Sequence, residues 1–274
     1  MLGTSVHANN LFILSELLKM LVGRGDYVPV HIDEETLNYV RKVFGKIENE
    51  VKIYYFTSPN KECRFCSDIE EILRIVSRLH SKIKVIKRDE DSEEAKKYGI
   101  QDFPCILLHG KEEYNVRFFG IPAGYEFGTF IEDIVDVSHG RVDIDSSLRR
   151  ILIENVKKPT RILVFVTPEC PYCPIAVRSA HKYAIINKYI YGDMVEALEF
   201  PKLAEKYNVY SVPKNVIQVN GKDVLEFEGA TSDAIFISKI LEANGIEIPE
   251  EMYNNLKRDF SELRRSMIHG RNNI

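Results

Sequence analysis

The stretch RILVFVTPECPYC, from Arg161 to Cys173, decides how the chain reads. Its β-branched and aromatic run is the length of a strand, and a helical pattern opens at Pro174, so Cys170-Pro171-Tyr172-Cys173 falls at a strand-to-helix junction. The first cysteine is therefore expected at a helix N-terminus, where unpaired N–H groups and the helix dipole favour a thiolate. Lowering a thiol from ~8.5 to ~7 takes about 2 kcal/mol, the upper limit of the dipole effect, so direct N–H···S contacts are needed too. The second cysteine, one turn on, can attack a mixed disulfide made by the first. CxxC is also half of a zinc site, and the motif by itself leaves both readings open.

The same unit stands upstream. A strand at Val51 to Thr57 leads into Cys63-Arg64-Phe65-Cys66, and Ile69, Ile72, Ile75, Val76 and Leu79 trace the helix after it. In both halves a helix precedes the strand, and strand, short helix, X-Pro, two strands about a turn and a closing helix follow the CxxC. Pro104 follows Cys63 by 41 residues and Pro213 follows Cys170 by 43. Asp33 and Asp145 are the N-caps that open the two copies, and Met194 to Phe200 is the predicted second strand of the later one. With the CxxC after a strand, this order is the thioredoxin-like arrangement. The predicted fold is α/β: two tandem thioredoxin-like folds, each with three α/β/α layers on a mixed sheet. The predicted limits are an N-terminal extension over 1–32, a first unit over 33–142, a second over 143–244 and a C-terminal helical extension over 245–274.

Pro104 and Pro213 open β-like runs, where proline is unwelcome. In a thioredoxin-like unit this proline is cis and lies beside the CxxC, and the preceding Phe103 or Val212 offers its backbone to an extended substrate; the alternative is an ordinary loop proline. Pro171-Tyr172 resembles the glutaredoxin dipeptide. Arg64 either helps to hold Cys63 as thiolate or is a solvated charge. Thioredoxins carry a buried carboxylate on the strand entering the CxxC. Neither strand here supplies one, Glu62 and Glu169 are expected in solvent, and the proton acceptor for Cys66 and Cys173 has no candidate. Cys105 reads as a small apolar strand residue and His181 as a packed or exposed helical one.

The chain has 274 residues, a formal net charge of -4 and 45% hydrophobic residues, enough for two ordinary domains and without a nucleic-acid footprint. Four of five cysteines lie in the two CxxC pairs, unlike a secreted disulfide framework. Leu11 to Val22 is apolar but shorter than a bilayer span and holds Glu16 and Lys19, so it reads as a packing helix rather than an anchor. The cytoplasm is the default compartment, and the high charge with no tryptophan leans toward a heat-adapted protein.

From Asp33 to Asn244 the chain resembles the archaeal and thermophilic glutaredoxin-like protein disulfide oxidoreductases. The segments RFFGIPAGYEFGTFIEDIVDVS, RILVFVTPECPYCPIAVRSAHKYA, GDMVEALEFP and NVYSVPKNVIQVNGKDVLEFEGA carry the likeness. The resemblance implies reduction, oxidation or isomerisation of protein disulfides, with no bound cofactor. Electrons would come from NADPH through a thioredoxin reductase, and clients would include disulfide-containing proteins and a peroxiredoxin. It implies Cys170 as principal nucleophile, Cys173 as resolving thiol, and Cys63 and Cys66 as a second, weaker centre. CRFC departs from the CQYC and CPYC of that family. A monomer is favoured, with a dimer through the stripe Met252, Leu256, Phe260, Leu263 and Met267 as the sharper alternative. Rival readings are one four-cysteine zinc site joining the two pairs, and a redox-inert scaffold held by structural disulfides.

Overall fold

The computed structural model describes residues 32–250 and Met252. The first half comprises α1 (Glu34–Phe44), β1 (Val51–Thr57), α2 (Cys66–Leu79), β2 (Ile83–Asp89), α3 (Glu93–Lys97), β3 (Cys105–His109), β4 (Val116–Phe119) and α4 (Glu126–His139). The second comprises α5 (Ser146–Asn155), β5 (Thr160–Val166), α6 (Cys173–Ile186), β6 (Ile190–Glu196), α7 (Pro201–Lys206), β7 (Lys214–Val219), β8 (Lys222–Glu228) and α8 (Asp233–Ala243). Local chemistry sets several starts: Asp33 Oδ1 accepts the Thr36 N–H at 2.9 Å, and Asp145 Oδ1 accepts those of Ser147 and Leu148. Asn220 and Gly221, both at positive φ, turn β7 into β8.

The eight strands form one sheet in the order β2-β1-β3-β4-β6-β5-β7-β8. The halves therefore repeat the same four-strand order side by side and join where β4 pairs parallel with β6, Val116 opposite Gly192 through Phe119 opposite Val195. Alternation along each strand splits the core in two. Ile53, Tyr55, Phe118, Val164 and Met194 face α1, α2, α4, α5, α6 and α8, whereas Phe56, Leu107, Phe119, Phe165 and Val195 face α3 and α7. This is the three-layer arrangement expected, in two tandem thioredoxin-like folds sharing a sheet.

Strand directions place the chemistry. β1 runs antiparallel to β3, which runs antiparallel to β4, and β4, β6 and β5 are mutually parallel. β1 and β5 thus end at the same edge of the sheet, and both CxxC loops open there. Between them lie β3, β4 and β6, four strand spacings or ~19 Å.

One strand departs from the reading. The predicted Met194–Phe200 is found at Ile190–Glu196. Gly192 and Asp193 obscure its start, because a strand with a glycine and a buried acid lacks the apolar signature. Gly192 is required there, since a Cβ would lie 2.7 Å from the Ala180 carbonyl oxygen. Asp193 is fully buried between Arg117, whose Nε and Nη2 donate to it at 2.6 and 2.9 Å, and Arg161. Leu11 to Val22 and the stripe beyond Met252 lie outside the described residues, while Met252 itself is buried against the core. Among the described residues no helix is long and apolar enough to cross a membrane.

Candidate active sites

The second pair is built on the end of β5. Cys170 and Cys173 are joined as a disulfide, with Cα atoms 5.5 Å apart. α6 starts at the second cysteine, not the first. Cys170 nevertheless reaches the helix's free donors: the Cys173 N–H points at its sulfur at 3.1 Å. This is the direct N–H···S contact that the dipole alone left wanting. The Cys170 sulfur also lies 3.7 Å from the Val212 carbonyl oxygen. The Val212–Pro213 peptide is cis, and half-exposed Val212 and buried Pro213 flank the disulfide. Cys170 is 8% exposed and Cys173 wholly covered, so an incoming thiolate meets the first sulfur. Pro171 and Tyr172 stand in solvent beside it.

The first pair repeats the plan with different surroundings. Cys63 and Cys66 form a disulfide with the same Cα spacing, and both are half-exposed. The Tyr55 hydroxyl of β1 donates to the Cys66 carbonyl at 3.4 Å. The Phe103–Pro104 peptide is cis, but Phe103 is buried and lies under Lys61, whose ammonium sits 5.1 Å above its ring and donates to the Gln101 carbonyl at 3.0 Å. Arg64 stacks over Phe65 at 5.0 Å. The platform residue that is half-open at CPYC is roofed at CRFC.

The remaining cysteine and histidine take the bland roles. Cys105 is buried with its sulfur on the Ile106 carbonyl, and burial pushes its thiol far above the range of a nucleophile. His181 is buried between two acceptors, Asp133 Oδ2 at 2.5 Å and the Arg117 carbonyl at 3.2 Å. Glu62 and Glu169 are exposed.

One carboxyl group escaped the sequence reading. Glu126, in the first turn of α4, is completely buried, and neither of its oxygens has a hydrogen-bond partner among the described residues. Burial, opposed by nearby Thr129 and reinforced by Asp133, pushes it up to about 8. Its helix begins against the CPYC loop: the Tyr125 N–H donates to the Pro168 carbonyl at 3.1 Å. Gly124, at φ 62°, lies so close that a Cβ would fall 2.0 Å from that oxygen. α4 and α6 leave the same edge in the same direction, because β4 and β5 run parallel there. Further down, Asp133 of α4 meets Arg178 and His181 of α6. Glu126 stands seven residues before Asp133 on α4, and Pro174 seven residues before His181 on α6, ~10 Å along each helix. The missed signal is the pair of acids, Glu126 and Asp133, in the spacing Glu126, Phe130, Asp133, Val137, a helical stripe otherwise made for a core.

Comparison with known proteins agrees with this geometry. A thioredoxin-domain family model matches residues 160–242. A protein disulfide oxidoreductase from Aeropyrum pernix superposes with a TM-score of 0.70 at 26% identity, covering 81% of this chain and 98% of that one. The chain is thus similar to a protein disulfide oxidoreductase and carries two thioredoxin-like folds in tandem. The alkyl hydroperoxide reductase component AhpF of Enterococcus faecalis shares the fold, with a TM-score of 0.68 at 24% identity, covering 76% of this chain and 98% of that one. Among curated sequences, the corresponding alkyl hydroperoxide reductase component of Staphylococcus epidermidis is 30% identical over 177 residues, and that of Staphylococcus aureus 29% identical over 133. The chain spans 32% and 25% of those two relatives, a third of their length or less.

Proposed function

We propose that this oxidoreductase exchanges disulfides with protein clients chiefly through Cys170 and Cys173, with Cys63 and Cys66 as a second centre of different reach. The observation that carries the reading is the Cys170 sulfur, held between a first-turn N–H and the backbone of Val212. In the reduced protein the same N–H stabilises the Cys170 thiolate. That thiolate attacks a client disulfide, whose chain pairs with the Val212 backbone, and one client sulfur leaves as thiolate. Cys173 then gives up its proton, attacks Cys170 and releases the second client sulfur. Glu126 is the group we assign to accept that proton, being an unpartnered carboxyl that burial keeps near the pKa of a thiol.

Electrons would enter from NADPH through a thioredoxin reductase, and a peroxiredoxin is a fitting client beside protein disulfides in general. The setting would be the cytoplasm. Four-thiolate zinc binding is disfavoured by topology: loops ~19 Å apart on one sheet edge cannot close a site whose Zn–S bonds are ~2.3 Å. In insulin-disulfide reduction, Cys170→Ser is expected to remove at least nine-tenths of the activity, on the order of a tenfold loss or more, and Cys63→Ser to leave most of it. Equal losses would sink the assigned hierarchy.

A further inference from the structure

The resolving cysteine of CRFC has no proton partner assigned, and a second pair of unused carboxyls lies on the same sheet edge. Glu196 ends β6 on the face of the sheet that carries α2 and α6, and Glu199 follows in the loop to α7. The two are in contact: the Glu199 N–H donates to Glu196 Oε2 at 2.7 Å. Glu199 Oε1 accepts the Ile121 N–H at 2.6 Å, across the junction between the units. Each keeps one oxygen buried and without a partner among the described residues, Oε1 of Glu196 and Oε2 of Glu199. Space for the pair exists because residue 120 is glycine; a Cβ there would lie 2.6 Å from Glu199 Oε1 and 2.8 Å from Glu196 Cβ.

The charged groups that act on this pair belong to the first centre. Burial raises both carboxyls; Arg64, inside CRFC, draws each partly back down, and Asp68, in the first turn of α2, pushes Glu199 up. Glu199 in turn acts on Tyr55, whose hydroxyl touches the Cys66 carbonyl and which also feels Glu70. Burial, opposed by the Ile121 N–H and reinforced by Glu196, raises Glu199 to about 7. A carboxyl so placed changes its proton at the pH where dithiol chemistry runs.

We propose that Glu199 is the proton-holding group of the CRFC centre, supplied by the second unit, and that Glu196 tunes it. The proposal rests on CRFC being an exchange centre. When a dithiol reductant opens it, a reductant thiolate bonds to Cys63 and the Cys63–Cys66 bond breaks with its electron pair on Cys66. Glu199 gives its proton to that sulfur and is left as carboxylate. The second reductant thiol loses its proton to solvent, attacks the mixed disulfide and frees the Cys63 thiolate. The reductant ends as a disulfide, CRFC as a dithiol two electrons richer, and Glu199 regains a proton from solvent.

The test uses the full chain with CPYC silenced by Cys170→Ser and Cys173→Ser. Reduction of the Cys63–Cys66 disulfide by dithiothreitol is followed from pH 5.5 to 9, with and without Glu199→Gln, which keeps an acceptor for the Ile121 N–H. The ratio of variant to parent rate cancels the reductant's own ionisation. It is expected to be near one at pH 9 and to fall to roughly a tenth or less by pH 6, the size of a lost general acid. Glu196→Gln removes the like charge and is expected to move the parent's inflection to lower pH. A ratio that stays flat in folded protein overturns the role of Glu199. A CRFC disulfide that dithiothreitol opens at no pH in the parent overturns the exchange reading of that centre and the proposal with it.

Discussion

In the proposed exchange the CPYC centre draws on three residues: the Cys173 N–H, the Val212 backbone and the buried Glu126. Each has a separate physical task, and only the first is local. The role of Glu126 has a defined pH signature. Its carboxyl is neutral at pH 7 and becomes a base only as pH rises through about 8. In the parent, the step in which Cys173 resolves the mixed disulfide should therefore accelerate through that range. Glu126→Gln should flatten the rise and cost roughly tenfold or more at pH 9, read by single-turnover release of a mixed disulfide at Cys170. The stability sign is fixed by the same shift. A carboxyl raised from 4.5 to about 8 stabilises the fold fully below its unfolded pKa, and that contribution is lost as pH climbs through about 8. Glu126→Gln should remove this alkaline loss, measurable as a smaller fall in Tm between pH 6 and 9. The cysteines were legible because thiol chemistry writes itself in a four-residue motif. Glu126 was not, because its depth comes from packing between two helices nearly fifty positions apart in sequence.

At the scale of elements, α4 and α6 are the pair that aligns the CPYC site. Arg178 of α6 meets Glu132, Asp133 and Asp136 of α4, and His181 adds a second bond to Asp133; Asp133 and His181 are closed to solvent, while Glu132 reaches it. Removing one partner of such a buried set leaves the others uncompensated. Asp133→Asn should cost about 3 kcal/mol by chemical denaturation, and it should slow CPYC turnover because the register of Glu126 slackens. The start of α4 is fixed as tightly by Gly124. Gly124→Ala puts a methyl onto the Pro168 carbonyl at a backbone angle that only glycine adopts readily, for a loss of roughly 2 kcal/mol or more. Helix and strand identities at this scale came through from periodicity. The exception, β6, shows why: its pattern is interrupted by Gly192 and Asp193, residues chosen for a close helix and two arginines rather than for the strand.

Across the whole molecule, the two units share one continuous sheet. β4 and β6 pair edge to edge, and Arg117 of the first unit is buried on Asp193 of the second. Unfolding should follow a single transition, with fluorescence of the many tyrosines and circular dichroism coincident in urea. Expressed alone, residues 143–252 should fold poorly, since Asp193 would lose Arg117 and β6 would present an open edge. Two separated transitions, or a stable isolated unit with native CPYC activity, would contradict this.

The sequence by itself determined the repeat, the two CxxC centres, the proline at each and the thioredoxin-like order, because these are written in short motifs and in spacing along the chain. Only the tertiary structure decided that both centres open on one sheet edge, that Lys61 roofs the platform at CRFC while Val212 stays half-open at CPYC, and that the buried carboxyls come from across the junction. The reason is physical. A thiol's reactivity begins with its neighbours in the chain, but the depth of a carboxyl, and hence the proton it holds, depends on which segments the fold stacks over it.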